Sequence, residues 1–119
     1  MLRFRTLVVV AALGAALAVA ASAGAVVPKL TGTVGPGFTI TLKRGTAPVK
    51  LLKAGMYSIT VADKSNIHNF RIKGPGLNRE ITSVPFVGTK TVTLRLREGK
   101  YTFVCDPHAT IMHGSFKVR

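Results

Sequence analysis

Phe103-Val104-Cys105-Asp106-Pro107-His108-Ala109-Thr110-Ile111-Met112 closes an alternating run of residues and carries the only cysteine of the chain. Tyr101, Phe103 and Cys105 share one parity, so in a β-strand their side chains point to the same face. Asp106-Pro107 then breaks the alternation and starts a loop. A thiol, an imidazole and a thioether thus fall within the eight residues Cys105 to Met112. Upstream, His68 shares parity with Phe70 and Ile72, while Asn69, Arg71 and Lys73 take the other face. If the two strands are antiparallel neighbours, His68 at the start of one and Cys105 at the end of the other meet at one end of a sheet. A short loop can bring His108 and Met112 to the same place.

The same period of two runs through the rest of the chain. Phe38-Ile40-Leu42, Tyr57-Ile59-Val61 and Val92-Leu94-Leu96 place apolar residues at every second position, with Thr, Lys and Arg between them. That is the pattern of strands with one wet face. Gly35-Pro36-Gly37, Gly74-Pro75-Gly76 and Glu98-Gly99 read as turns. No segment after residue 25 shows a helical period. Many short strands in so few residues predict an all-β fold of two antiparallel sheets packed face to face.

The first residues read differently. Arg3 and Arg5 precede the apolar run Leu7 to Ala20, and Ala21-Ser22-Ala23 fits a small-x-small cleavage pattern. This is the layout of a secretory signal peptide over residues 1–23, leaving a domain of residues 24–119. An uncleaved anchor is the competing reading, because apolar character continues through Val27. Export to the periplasm, the cell envelope or the medium follows from either. About 95 remaining residues suffice for one domain with a modest core. A lone thiol in an oxidising compartment cannot form an internal disulfide and is a liability unless something occupies it.

Charge is lopsided. Seventeen Lys and Arg face four acidic residues, Asp63, Glu80, Glu98 and Asp106, for a formal net charge of +13. Loss of the leader's arginines lowers this to about +11. Such a field suits acidic protein partners or the anionic cell envelope. Nucleic acid is not expected as a partner, since no helix-turn-helix, zinc-finger or aromatic RNA-binding motif is present. The basic residues are spaced singly along the chain, as on a solvated face.

The donor set narrows the chemistry. Two imidazoles, one thiolate and one thioether are the ligands of a type 1 blue-copper centre, a His-His-Cys plane with a weak axial Met. Structural zinc normally takes four strong Cys or His ligands, so Met112 favours copper. Cys105 and His108 could instead be a nucleophile and its base. Both would then aim at one point in a tight loop, with no third orienting residue or oxyanion device, so an enzyme is not expected. Asn69 could tie the His68 strand to the chain around Asp106. Pro107 has no N–H and removes one hydrogen-bond donor from the neighbourhood of the sulfur.

Asp63-Lys64-Ser65-Asn66-Ile67-His68-Asn69-Phe70, Cys105-Asp106-Pro107-His108 and Met112-His113-Gly114-Ser115-Phe116 together resemble the small blue-copper proteins, the cupredoxins, and most of all their plastocyanin-like and pseudoazurin-like members. The resemblance spans roughly residues 31–119. It implies a Greek-key β-sandwich with one copper ion near one end, held by His68, Cys105, His108 and Met112. It implies a monomer that shuttles single electrons between redox partner proteins, with His108 as the electron port. A copper carrier, storage or delivery module on the same fold is the alternative. Three residues separate His108 from Met112, where plastocyanins have four, which puts the strength of the axial bond in question. His113, beside the axial position, is expected to be exposed and non-ligating.

Overall fold

The alternating runs become strands in the computed structural model, which describes residues 11–16 and 26–119. Apart from residues 11–16, the leader reading of residues 1–23 lies outside the described residues. Among those described, no helix is long and apolar enough to cross a membrane. In chain order the strands are β1 (Lys29–Val34), β2 (Ile40–Arg44), β3 (Ala47–Pro48), β4 (Leu51–Leu52), β5 (Gly55–Asp63), β6 (Phe70–Gly74), β7 (Leu77–Thr82), β8 (Gly88–Leu96), β9 (Gly99–Val104) and β10 (His113–Val118). A single 3-10 turn, Asp106–His108, interrupts them.

Two five-stranded sheets form, in the orders β3-β2-β1-β5-β8 and β4-β10-β9-β6-β7. Neither is purely antiparallel, which corrects the expectation from the sequence. β1 runs parallel to β5, and β4 parallel to β10. The physical reason is connectivity. Between β1 and β5 the chain turns through β2 and β3 and crosses to the other sheet as β4. A strand that returns by such a crossover lies parallel to its predecessor, whereas a tight hairpin gives an antiparallel pair.

The core fills the space between the sheets. Tyr57, Ile59 and Val61 of β5 are buried, as are Leu94 and Leu96 of β8. From the other sheet come Phe70, Ile72, Tyr101, Phe103 and Phe116. Phe70 stacks on Phe103 with ring centroids 5.9 Å apart, and Tyr101 on Phe116 at 5.3 Å. The Tyr101 hydroxyl accepts from the Arg97 N–H at 2.8 Å and donates to the Arg97 carbonyl at 3.0 Å, closing the β8–β9 connection. Among the described residues the buried core side chains lie between Leu30 and Val118, and the Pro28 carbonyl accepts from Ser58 N–H.

Strand register defines two ends of the sandwich. Val34, Asp63, Phe70, Gly88, Val104 and His113 mark one; Lys29, Arg44, Gly55, Leu96, Gly99 and Val118 mark the other. At the first end the aromatic stacking requires glycine at position 114, because a Cβ there would enter the Phe103 ring. Gly114→Ala is expected to destabilise the protein by about 1–3 kcal/mol through overpacking. Gly37→Ala, where nothing lies within 4 Å, should change stability by less than about 0.5 kcal/mol. Urea unfolding of both variants checks the contrast.

Candidate metal centre

β6 and β9 pair antiparallel, with Arg71 opposite Val104 and Ile72 opposite Phe103. His68 therefore enters two residues before β6, and Cys105 leaves one residue after β9, at the same end of the sandwich. Both are fully buried. The loop after Cys105 is built by its own backbone. His108 N–H donates to the Cys105 carbonyl at 3.2 Å, and Met112 N–H donates to the His108 carbonyl at 2.8 Å. Cys105 N–H then donates to the Met112 carbonyl at 3.0 Å, fastening the loop's two ends together. Pro107 sits in the first turn, where its missing N–H costs nothing.

The side chains converge. His68 Nδ1 and His108 Nδ1 are 3.0 Å apart, and each is 3.6 Å from Cys105 Sγ. One ion held in a plane at ordinary metal–nitrogen and metal–sulfur lengths of about 2.0 and 2.3 Å would set such donors roughly 3.5 Å apart. The triangle is thus of the right size for a single metal ion, and among the described residues His68, Cys105 and His108 form the group whose ligand atoms lie close enough to hold one. Met112 is fully buried, and its backbone bonds to those of Cys105 and His108. His113 is exposed, and its Nδ1–H donates to the Ala109 carbonyl at 2.8 Å.

Behind the donors lies a polar clamp. Asn69 is fully buried. Its carbonyl accepts from Asp106 N–H at 2.7 Å, and its amide donates to the carboxylates of Asp106 and Glu80, each at 2.8 Å. The expected tie between Asn69 and the chain at Asp106 is present. The sequence did not single out Arg71, whose Nε donates to Asp106 at 2.8 Å and whose other guanidinium nitrogens reach Asn78 and Glu80. Burial pushes the Asp106 carboxyl up, but hydrogen bonds from Arg71 and Asn69 and the charges of Arg71 and Lys73 outweigh it. They hold the group below the usual carboxylate range.

Two further features were missed. Phe38 was read as an inward strand residue, yet β2 begins only at Ile40. Its ring is exposed and stands edge-on to His68 and His108, with centroids 5.4 and 5.0 Å away. Asp63 is a buried carboxylate that accepts from Ser65 N–H through Oδ1. Its Oδ2, like Nε2 of His68, has no hydrogen-bond partner among the described residues.

Comparison with known proteins agrees with this geometry. The family model for copper binding proteins of the plastocyanin/azurin family matches residues 46–119. No curated relative matches the sequence significantly. Among solved structures, reduced rusticyanin is similar at 25% identity with a TM-score of 0.56, over 76% of this chain and 78% of its own. Rusticyanin from Thiobacillus ferrooxidans gives 23% identity and a TM-score of 0.54, over 76% of each chain. A mutant of amicyanin in its Cu(I) form gives 14% identity and a TM-score of 0.50, over 77% of this chain and 83% of its own. The chain belongs to the plastocyanin/azurin family of copper-binding proteins, and its cofactor is a single copper ion.

The clamp generates a prediction with a definite pH sign. A carboxyl whose folded pKa is lowered adds stability above its unfolded value of about 3.9, lost as pH falls through the folded value. Asn69→Ala strands the Asp106 N–H and removes two bonds to carboxylates. It should cost about 2–3 kcal/mol at neutral pH. The difference from the parent should shrink in acid as the Asp106 carboxylate protonates, which urea unfolding at a series of pH values will show.

Proposed function

We propose that this protein is an exported carrier of single electrons that holds its copper ion through His68, Cys105, His108 and Met112. One observation carries the reading: three of these side chains are wholly buried, and His108 alone reaches towards the surface. The buried three are fixed by β6, β9 and the loop hydrogen bonds, so the protein rather than the ion sets their positions. Copper held by His68, Cys105, His108 and Met112 would supply a Cu(I)/Cu(II) couple, and a mixed nitrogen and sulfur donor set suits neither state fully. His68, Cys105 and Met112 keep water out, and the edge of His108 is the shortest path to a partner.

The surroundings of His108 fit that role. Exposed Phe38, Ile67 and Ile111, with Pro107 and Ala109, form an apolar rim. Phe38 covers both imidazoles edge-on and keeps the port desolvated when a redox partner protein docks. Charges at this end balance: Arg71 is engaged by Glu80 and Asp106, Lys64 follows buried Asp63, and Lys90 lies over the Phe86 ring. The acidic docking face inferred from net charge enters only as long-range steering. In this reading the chain acts as a carrier and not as an enzyme.

Electron transfer and copper delivery use the same donors and differ in whether the ion stays. Repeated reduction and reoxidation beside a Cu(I) chelator should leave the copper in place and the visible band fully recovered. Loss of copper to the chelator in the reduced state would instead identify a delivery protein. Met112→Leu should retain copper and shift the reduction potential upward, because a weak donor to Cu(II) is removed. An unshifted potential would exclude an axial Met112.

A further inference from the structure

Basic residues that are scattered along the sequence are gathered by the fold. The end of the sandwich opposite the copper site carries Lys29 at the start of β1, Arg44 at the end of β2 and Lys53 before β5. Arg97 and Lys100 flank the β8–β9 turn, and Arg119 follows β10. All six are exposed. Glu98 is the acidic side chain among them. At the copper end, by contrast, positive and negative groups balance, so the molecule is an electrical dipole along its strands.

The same end is also apolar. An open groove of about 930 Å³ lies there, lined in part by Val26, Val27, Leu51 and Met56, with Arg44, Lys53 and Arg119 on its margin. Val26 is 90% exposed and Leu51 52%. Val26-Val27-Pro28, which line this groove, lead directly into β1.

We propose that this basic, apolar end is a docking surface for an anionic lipid bilayer. Each Lys or Arg near such a surface adds attraction, and shallow apolar side chains ringed by cations are what an interfacial contact buries. A nucleic acid or polysaccharide would use the charge and leave Val26, Val27, Leu51 and Met56 without a role, and those residues favour lipid. Docked this way, the protein holds His108 at the end pointing away from the membrane, open to a soluble partner. The surface is independent of the copper reading, and the two fail separately.

The test is co-sedimentation of residues 24–119, which contain all ten strands described, with vesicles of phosphatidylglycerol and phosphatidylcholine in equal parts. Binding should be strong at low salt, weaker at high salt, and absent on phosphatidylcholine alone. Arg44→Gln, Lys53→Gln and Lys100→Gln together should lower partitioning roughly 100-fold. Lys64→Gln with Lys90→Gln, at the copper end, should leave it unchanged. Leu51→Ser with Met56→Ser should weaken it roughly 10-fold. No binding to the anionic vesicles, or equal loss from the two charge variants, would overturn the proposal. So would indifference to the apolar pair combined with tight binding to heparin, which identifies a general polyanion surface. The visible copper band of each variant reports folding and the copper reading apart from the vesicle result.

Discussion

Everything at the functional end depends on one strand pairing. β6 and β9 run antiparallel with Ile72 opposite Phe103, and that register sets the entry of His68 and the exit of Cys105 side by side. A slip of one residue would turn either side chain to the other face of its sheet. Asn69 secures the arrangement. It is the residue after His68 and bonds twice to the residue after Cys105, so the two donors cannot drift apart without breaking both hydrogen bonds. Arg71 and Glu80 extend the same restraint to the neighbouring strand, β7. Preorganisation of this kind lets the protein impose a geometry that the ion would not choose.

A second consequence of the topology is the separation of two surfaces. The strands run the length of the sandwich, so residues at their ends fall at one pole or the other. The copper pole is apolar around His108 and balanced in charge. The opposite pole is rich in Lys and Arg. On the proposed reading, long-range attraction and close redox contact fall to different parts of the molecule, and an electron partner need not compete with an anionic surface for the same face.

Much of this was legible in the sequence because it rests on parity. Alternation along Tyr57-Ile59-Val61 and Tyr101-Phe103-Cys105 placed those residues on the inner face, where they lie. The shared parity of His68, Phe70 and Ile72, and the spacing of Cys105, His108 and Met112, led to a convergent donor group, and His68, Cys105 and His108 do converge. What parity cannot report is sheet order. The parallel pairings β1–β5 and β4–β10 arise from a crossover with no local signature, so two antiparallel sheets were expected. Phe38 keeps the alternation but sits before β2 begins, in a turn that directs it over the imidazoles. Arg71 and Glu80 are nine residues apart and meet only because β6 and β7 form a hairpin. The basic pole is invisible for the same reason, since its residues are neighbours in space and not in sequence.

The central claim is that Cys105 and the two histidines hold copper in a redox-active site. The most direct test is the visible spectrum of residues 24–119 after addition of Cu(II), with Cys105→Ser beside it. An intense thiolate-to-copper band, bleached by reductant, restored by oxidant and missing from the variant, is the predicted result. A protein that takes up no copper, or one whose spectrum is the same with serine at position 105, would contradict it.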